Sequence, residues 1–428
     1  MPPSTGSGRA NECTISVIRR PYNQRMELGE HYRAAVCLAI LSGLPPVAAA
    51  QGIPGFPCQP VVCSTLLPAT PVADPGTNDC AYRAGNLWWV DYVAGSLAWS
   101  DHDKPARPVT VAVFDDGAWI DHEDLRNQLW TNEAEAHGKA GVDDDGNGYV
   151  DDLHGWDFVD NSPDVAPKGA CRERPSHGTL MASLVAAERN NHVGIAAPGS
   201  DGARVMILRI VGCDGDATKV DPARLVRALE YATRMGARIL SFSAHWSVTT
   251  PELDAAFREI ADRPGSPVAA IVVASVPNKG EPAAGYPAAY DFRRIVRAIP
   301  IGNDDEISPG TSPAPPGLNL GAPSACVIGA GRPPAQYRLE QGSSNSTAIL
   351  AGLLAGIWSS PRYDKLSADE FLAGVVEERM SRTVRHSKPG SRPPYLDGVP
   401  LADACLLATE GHSASVCRQP EAHREAGP

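Results

Sequence analysis

Short apolar runs recur along the chain at the spacing of an α/β protein. The first run covers residues 109–114, and three more cover 204–210, 237–243 and 269–275. Each run is short, continuous and rich in β-branched residues, which is typical of a strand that is buried on both faces of a parallel sheet. The pattern therefore predicts a core of parallel strands.

A helix is predicted between the second and third of these strands. Asp221 and Pro222 supply an N-cap and a proline at the first helical position, and Gly236 ends the helix. The apolar positions on one face of the helix are Leu225, Val226, Leu229 and Ala232. Strand, helix and strand at this spacing predict the α/β class, with a doubly wound, mostly parallel sheet flanked by helices.

The N-terminal region has a different pattern. Arg33 precedes an apolar run at 34–41, and small residues follow at 47–50. A basic residue, a short apolar stretch and a small-residue exit form the layout of a secretory signal peptide. The run is too short to span a bilayer. The alternative, a buried helix, is disfavoured because the prolines at 45–46 would break it.

These features divide the chain into four expected segments. They are a signal-peptide leader at 1–50, a Cys- and Pro-rich segment at 51–84, a single large domain at 85–410 and a tail at 411–428. Within the leader, Met26 is the expected start, and residues 1–25 are expected to be an upstream over-read. Cleavage after Ala50 predicts a secreted or periplasmic protein without a remaining membrane span.

The charge balance is acidic. The 428 residues contain 38 Lys and Arg against 50 Asp and Glu, a formal net charge of −12. Without the leader, which holds five Arg and three Glu, the net charge becomes −14. Non-specific nucleic-acid binding needs a basic surface, so nucleic acid is excluded as a partner.

The cysteines also favour export. Eight lie after the expected cleavage position: Cys58, Cys63, Cys80, Cys171, Cys213, Cys326, Cys405 and Cys417. No C-x-x-C pair suggests a zinc site, and an oxidising compartment would allow up to four disulfides. Cys405 with Cys417 is one candidate pair, and the connectivity stays open.

Three reactive side chains stand where strands end or helices begin. Asp115 closes the first strand, His177 opens a helical run, and Ser344 precedes an apolar helix that runs to Trp358. Singly, each fits a turn, a surface polar residue or an N-cap. Together they supply a nucleophile, a base and an acid that orients the base.

In this arrangement the sequence resembles the subtilisin-like serine proteases, the subtilase or peptidase S8 family. Residues 115–117 resemble the D-[ST]-G motif of that family, 177–180 its H-G-T-H motif and 342–348 its G-T-S-M-A-T-P motif. The order Asp, His, Ser is the family order. A fourth segment, 275–280, is similar to A-A-G-N-x-G and puts Asn278 at the oxyanion-hole position. The resemblance spans roughly residues 85–362.

The resemblance implies a serine endopeptidase that acts on proteins or peptides. Ser344 would be the nucleophile, His177 the general base and Asp115 its orienting acid. Asn278 would stabilise the oxyanion together with the N-terminus of the Ser344 helix. Three residues stand where the family has a substrate-pairing S-L-G strand: Ser243, Ala244 and His245. The bulky His245 would change or narrow the specificity pocket.

Several positions depart from the family motifs. Asp116 replaces a hydroxyl residue, Pro277 a glycine, Leu180 a histidine and Ala348 a proline. None removes a triad member. An alternative is a calcium-stabilised pseudoprotease that binds peptides without cutting them, which Pro277 and His245 would favour. An α/β-hydrolase esterase is disfavoured, because no G-x-S-x-G surrounds Ser344 and the triad order differs.

An acidic segment predicts a structural calcium site. Residues 143–152 read D-D-D-G-N-G-Y-V-D-D, which resembles both the start of an EF-hand loop and a segment of many subtilases. His154 stands at the twelfth loop position, where an EF-hand has Glu, so Asp151 or Asp152 would complete the shell. The candidate ligands are Asp143, Asp145, Asn147, Tyr149, Asp151 and Asp152. A solvated acidic loop is the alternative.

Overall fold

A computed structural model of the protein describes most of the chain between residues 77 and 380. The described residues are 16–17, 77–83, 85–100, 107–173, 176–212, 220–278, 285–302, 305–308, 310–333, 336–380, 387, 399–403 and 407. Most of the predicted leader and of the segment 51–84, the tail 411–428 and the pair Cys405–Cys417 lie outside the described residues. Those assignments stay predictions.

Seven parallel strands form the central sheet. Their order across the sheet is β3 (Gly155–Asp157), β4 (Ala203–Arg209), β2 (Val109–Asp115), β5 (Ile239–Phe242), β6 (Ile271–Ser275), β7 (Ile295–Ile301) and β8 (Asn319–Pro323). The four predicted apolar runs are β2, β4, β5 and β6. The predicted α/β class with a mostly parallel sheet is therefore confirmed.

A smaller sheet has three strands. It consists of β1 (Ser16–Val17), β10 (Gln336–Glu340) and β9 (Val327–Ala330), in that order. Strand β1 pairs in parallel with β10, and β10 pairs antiparallel with β9. The two residues of β1 fall in the segment that the sequence assigns to the leader.

Helices cover both faces of the central sheet. In chain order they are α1 (Cys80–Arg83), α2 (Trp88–Tyr92), α3 (Gly95–Ser100), α4 (Glu133–His137), α5 (Ala170–Glu173), α6 (His177–Ala186), α7 (Pro222–Arg234), α8 (Pro251–Ala261), α9 (Ser343–Trp358), α10 (Ala368–Phe371), a π-helical stretch Leu372–Glu377 and α11 (Glu378–Met380). The predicted helix after Asp221 is α7, and the Asp221 carboxylate accepts a 3.0 Å hydrogen bond from Ala223 N. Among the described helices, none is long and apolar enough to cross a membrane.

The alternation of side chains along β2 creates two core layers. Val111 and Val113 face the layer that contains α6 and α9, and Ala112 and Phe114 face the layer that contains α7 and α8. Successive residues of a strand point to opposite faces. Because all four are apolar and buried, β2 is sandwiched between helices and its carboxyl end is held rigidly.

Residues 77–83 are tied to the loop between α6 and β4. The carboxylate of the fully buried Asp79 accepts hydrogen bonds from Asn190 N at 2.8 Å and from Asn191 N at 3.1 Å. Ala81 N donates to Gly194 O at 2.9 Å. The end of the predicted Cys- and Pro-rich segment is therefore part of the folded body.

Helices α6 and α9 touch backbone to backbone. A Cβ at Gly352 would lie 2.2 Å from Val185 O, and one at Gly199 would lie 2.4 Å from the same atom. Real Cβ atoms do not approach an oxygen this closely, because the two atoms would overlap, and a close-packed interior leaves the backbone little room to move apart. Gly352 therefore sets the distance between the two helices.

We expect Gly352→Ala to lower the free energy of unfolding by about 1–3 kcal/mol, the usual cost of overpacking a core. Gly374→Ala is the matched control, since a Cβ there meets no atom within 4 Å. Alanine is more favourable than glycine in a helix by about 1 kcal/mol, so the free energy of unfolding of the control should equal or exceed that of the wild type. Urea denaturation of the three proteins measures the difference, and a Gly352→Ala protein as stable as the wild type would contradict this packing.

Candidate active site

The site is built at the carboxyl ends of the parallel strands, where open α/β sheets place their functional residues. Asp115 is the last residue of β2, and its side chain is only 7% exposed. His177 Nδ1 lies 2.9 Å from Asp115 Oδ1 and 2.8 Å from Oδ2. Asp116 N also donates to Asp115 Oδ1 at 2.8 Å. The carboxylate is therefore fixed against one nitrogen of the imidazole.

The first turn of α6 carries His177. Ser176 is the N-cap, and its Oγ accepts from Thr179 N at 3.1 Å. The next residue is glycine because the helix end lies directly on the end of β2: a Cβ at Gly178 would be 2.3 Å from Gly117 O. Every residue of α6 except His177 is buried. The helix therefore presents one accessible side chain, next to Asp115.

The surroundings of His177 favour its protonated form. Burial alone would lower the pKa of the ring, but the charge and the hydrogen bond of Asp115 outweigh burial and raise the pKa above its usual value of 6.5. A carboxylate that binds Nδ1 also fixes the tautomer, so Nε2 is the nitrogen left to accept a proton. The pair has the form of an oriented general base.

Ser344 lies in the first turn of α9. Every other residue of this helix is buried, so Ser344 is the one residue that α9 presents to the site. Gly342, just before the helix, has φ 149°, in the region that favours glycine. Ser344 Oγ donates to Ser243 O at 3.3 Å, and among the described residues no hydrogen bond joins it to the His177 ring. Such bonds often form only when substrate binds.

Asn278 follows β6 and faces the start of α9. Its Oδ1 accepts a 2.8 Å hydrogen bond from Ser343 N, which leaves the Nδ2 group as a donor. A Cβ at Gly342 would lie 3.5 Å from that Nδ2. The preceding Pro277 is buried, and its carbonyl accepts from Ser312 N at 3.0 Å. This contact fixes the segment in which proline replaces the glycine of the family motif.

Ser243, Ala244 and His245 leave the end of β5 beside Ser344. Ser243 Oγ donates to Ser344 O at 3.2 Å, so the two segments are joined in both directions. His245 packs on the buried Gly285, where a Cβ would lie 2.9–3.2 Å from its side-chain atoms. One residue further on, Trp246 and Tyr286 exchange backbone hydrogen bonds of 3.1 and 2.8 Å. His245 therefore fills the space over Gly285.

The acidic loop brings together only some of its predicted ligands. Glu135, Asp145 and Asp152 each offer a carboxylate oxygen, and these atoms lie within 4.8 Å of one another. Asn147 is part of the same cluster, because its Nδ2 donates to Asp145 Oδ2 at 3.1 Å and to Asp152 Oδ2 at 3.0 Å. Burial raises the pKa of Asp152. A group of hard oxygen atoms around a buried carboxylate suits Ca²⁺.

The other predicted ligands have different contacts. The Asp143 carboxylate accepts from Asn147 N and Gly148 N at 3.1 and 2.8 Å. Both oxygens of Asp151 accept from Gly141 N at 3.0 and 2.8 Å. The Tyr149 ring packs against three aromatic rings: Trp156, Phe158 and Tyr231.

Sequence reasoning missed Glu135. This residue lies on α4, outside the loop that resembles an EF-hand. Its carboxylate accepts hydrogen bonds from Asp144 N at 2.8 Å and from Asp151 N at 2.9 Å, both in that loop. Its one signal in the sequence is its position in an acidic helix directly before an acidic loop.

Comparisons with known proteins agree on one family. The model described as the Subtilase family matches residues 106–399. Subtilisin-like protease 1 of Plasmodium vivax is 40% identical over 98 residues, which are 23% of this chain and 14% of that protein. Thermitase of Thermoactinomyces vulgaris is 29% identical over 250 residues, 58% of this chain and 74% of thermitase.

A third relative aligns over a longer stretch. The major intracellular serine protease of Bacillus subtilis is 25% identical over 299 residues, 68% of this chain and 82% of that protein. The chain thus spans most of the two bacterial relatives but only about a seventh of the Plasmodium protein, to which it is similar over a short stretch.

We expect Asp115→Asn to lower the pKa of His177, because the substitution removes the charge that raises it. Because the pKa of His177 is higher in the folded protein, the Asp115–His177 pair stabilises the fold fully below about pH 6.5, the pKa of histidine in the unfolded chain. That contribution to stability is lost as the pH rises through the pKa of His177 in the folded protein. NMR titration of ¹³C-histidine-labelled protein measures the change, with the His177 signal assigned by its loss in His177→Gln.

Asp121→Asn is the control, since it removes the same charge from an exposed aspartate. If His177 titrates in Asp115→Asn at the same pH as in the wild type, Asp115 does not control its protonation.

Proposed function

Because this chain belongs to the subtilase family, we propose that it is a serine endopeptidase that hydrolyses peptide bonds in proteins or peptides. The contact of both Asp115 carboxylate oxygens with His177 Nδ1 carries this proposal. An aspartate that holds an imidazole in this way prepares its other nitrogen to take a proton from a hydroxyl. Ser344, half-buried on an otherwise buried helix, supplies that hydroxyl.

The proposed reaction uses these groups in sequence. Ser344 Oγ leaves its hydrogen bond to Ser243 O, forms a bond to the substrate carbonyl carbon and gives its proton to His177 Nε2. His177 then passes the proton to the amine nitrogen as the C–N bond breaks, and water attacks the acyl-enzyme by the reverse route. Asp115 stays ionised and stabilises the imidazolium.

Asn278 is proposed as a donor to the oxyanion. Its Oδ1 is held by Ser343 N, so the Nδ2 group is oriented in advance near Gly342 and Ser344. The second donor comes from the first turn of α9, whose N–H groups have no partner within the helix and lie at the positive end of its dipole. Donors that are fixed before the charge develops contribute most to such a step.

We further propose that Ser243, Ala244 and His245 bind the substrate backbone and limit the side chain that enters beside Ser344. The support is the packing of the His245 ring on Gly285, where a smaller residue would leave a pocket. A filled pocket favours small substrate side chains, because a larger one cannot enter without displacing the ring.

One observation favours a second function, that of a peptide-binding protein without protease activity. The Ser344 hydroxyl donates to Ser243 O, and among the described residues it has no hydrogen bond to His177. If the hydroxyl keeps that partner when a peptide binds, the nucleophile is not activated. The two functions differ in the reactivity of Ser344.

A fluorophosphonate probe separates them. We expect the folded wild type to be labelled, because an activated Oγ forms a bond to phosphorus and expels fluoride. Ser344→Ala should lose all labelling, whereas Ser247→Ala, which changes an exposed serine, should keep it. Mass spectrometry of the labelled protein identifies the site. A folded wild type that stays unlabelled would support the peptide-binding function instead.

We propose that the protein is secreted or periplasmic. The signal-like pattern before residue 51 and the even number of later cysteines support export. Cys80, Cys171 and Cys326 are disulfide-bonded, and such bonds persist in oxidising compartments.

We also propose that Glu135, Asp145 and Asp152 hold a structural Ca²⁺, with the Asn147 amide bonded to two of these carboxylates. Three carboxylates brought within 4.8 Å repel one another, and a cation between them would offset that repulsion more fully than the neutral donors Asn132, Asn147 and Tyr231 do. The site would join α4 to the acidic loop and, through the 2.5 Å hydrogen bond from Tyr231 OH to Asp152, to α7. The other predicted ligands would support the loop from outside the cluster.

A chelator should therefore lower the melting temperature. A ligand at one hundred times its Kd stabilises a protein by about 2.7 kcal/mol, so EGTA should cause a clear drop that added Ca²⁺ reverses. Glu135→Gln and Asp145→Ala should each melt at the temperature of the chelated wild type, while Asp121→Asn should respond to EGTA like the wild type. Differential scanning calorimetry measures the shift, and a wild-type melt that EGTA leaves unchanged argues for a solvated acidic loop.

A further inference from the structure

Asp116, next to the triad aspartate, contacts the helix that carries His177. Its Oδ1 accepts from Gly178 N at 2.8 Å and from Ser176 Oγ at 2.9 Å, and its Oδ2 accepts from His177 N at 3.1 Å. The Cys171 sulfur lies 3.4 Å from Oδ2; a disulfide-bonded sulfur has no proton, so this contact is not a hydrogen bond.

These contacts supply hydrogen-bond acceptors for the N–H groups at the N-terminus of α6. The first four N–H groups of a helix have no partner within the helix. Here Asp116 accepts from the N–H groups of His177 and Gly178, and Ser176 Oγ accepts from that of Thr179. The Ser176 carbonyl accepts the first regular helical bond, from Leu180 N at 3.5 Å. A carboxylate has two acceptor oxygens, so it can bind two adjacent N–H groups at once.

Three described charged groups act on His177 from the elements around it. Asp115 and Asp116 lie at and just beyond the end of β2, and Arg338 lies on β10. Arg338 is buried, donates to Ser176 O at 3.2 Å and pairs with Glu340 at 3.0 Å. The charges of Asp115 and Asp116 raise the pKa of His177, and that of Arg338 lowers it. Burial and the charge of Asp115 raise the pKa of Asp116 itself, while the His177 charge and the N–H groups of His177 and Gly178 act in the opposite direction and favour its ionised form.

We propose that Asp116 is a positioning residue that holds the backbone of His177 at the helix N-terminus and places a second negative charge beside the imidazolium. This inference rests on the proposed function, in which His177 is the general base. The same carboxylate performs both roles, because its Oδ2 binds the backbone of His177, its Oδ1 binds the residues on either side, and its charge stabilises the His177 ring. Arg338, which donates to Ser176 O, offsets part of that charge.

The pH profile tests the electrostatic role. Asp116→Asn keeps one acceptor oxygen but removes the charge, and Asp116→Ser restores the hydroxyl of the family motif. Both should move the acid limb of kcat/KM to lower pH, and Asp116→Glu should restore it toward the wild-type position. Arg338→Gln should move the limb to higher pH. Asp121→Asn, in which an exposed carboxylate is neutralised, should leave the profile unchanged.

A second readout does not depend on turnover. NMR titration of His177 should show the same directions: a lower titration pH in Asp116→Asn and Asp116→Ser, and a higher one in Arg338→Gln. If the wild type neither cleaves peptides nor reacts with the fluorophosphonate, the proposed function fails, and the titration alone decides the role of Asp116.

The outcomes are distinct. The proposal is overturned if the folded Asp116 variants have the same acid limb of kcat/KM and the same His177 titration as the wild type. A purely structural cap would change the stability but neither of these two readouts. If Asp116→Asn does not fold, the comparison of Asp116→Ser with Arg338→Gln tests the proposal. The two variants should shift the acid limb and the His177 titration in opposite directions, and shifts of both variants in one direction would overturn the proposal.

Discussion

The candidate site depends on the burial of two apolar helices that touch backbone to backbone. All of α6 except His177 and all of α9 except Ser344 are buried. A helix that is apolar all round must lie inside the protein, and Gly352 allows this pair to approach closely, with Gly199 of the following turn packed on both. The first turns then emerge together at the carboxyl edge of the sheet. Core packing, rather than loop structure, therefore holds the two side chains.

The electrostatics of the site follow from the same placement. The N-terminus of α6 lies on the end of β2, so the positive end of its dipole faces two consecutive carboxylates, while Arg338 donates to the carbonyl of the N-cap Ser176. Asp115 binds the ring of His177 and Asp116 binds its backbone. Neutralising either carboxylate would leave only one negative charge beside the imidazolium, which would then be less stable.

The acidic loop shows how a local motif is completed from outside. The pattern at 143–152 indicated a cation-binding loop, and Asp145, Asn147 and Asp152 do meet. Asp151 instead binds Gly141 N and Asp143 binds its own loop, while Glu135 joins from α4. An EF-hand-like pattern places alternate residues at the ion only when the loop backbone follows a particular path. A helix packed beside the loop can supply a carboxylate in place of a loop residue, and the sequence motif of the loop stays the same.

The sequence by itself determined the fold class, four strands of the central sheet and the order of the three reactive side chains. These features follow from local patterns: apolar runs of strand length, caps, and motifs of a few adjacent residues. Tertiary structure alone decided that Asp116 caps α6, that Glu135 faces Asp145, that His245 lies over Gly285 and that Ser344 bonds to Ser243. Each of these contacts joins residues brought together by packing and separated in sequence, by as little as ten positions and by as many as about a hundred. No local pattern encodes such distances.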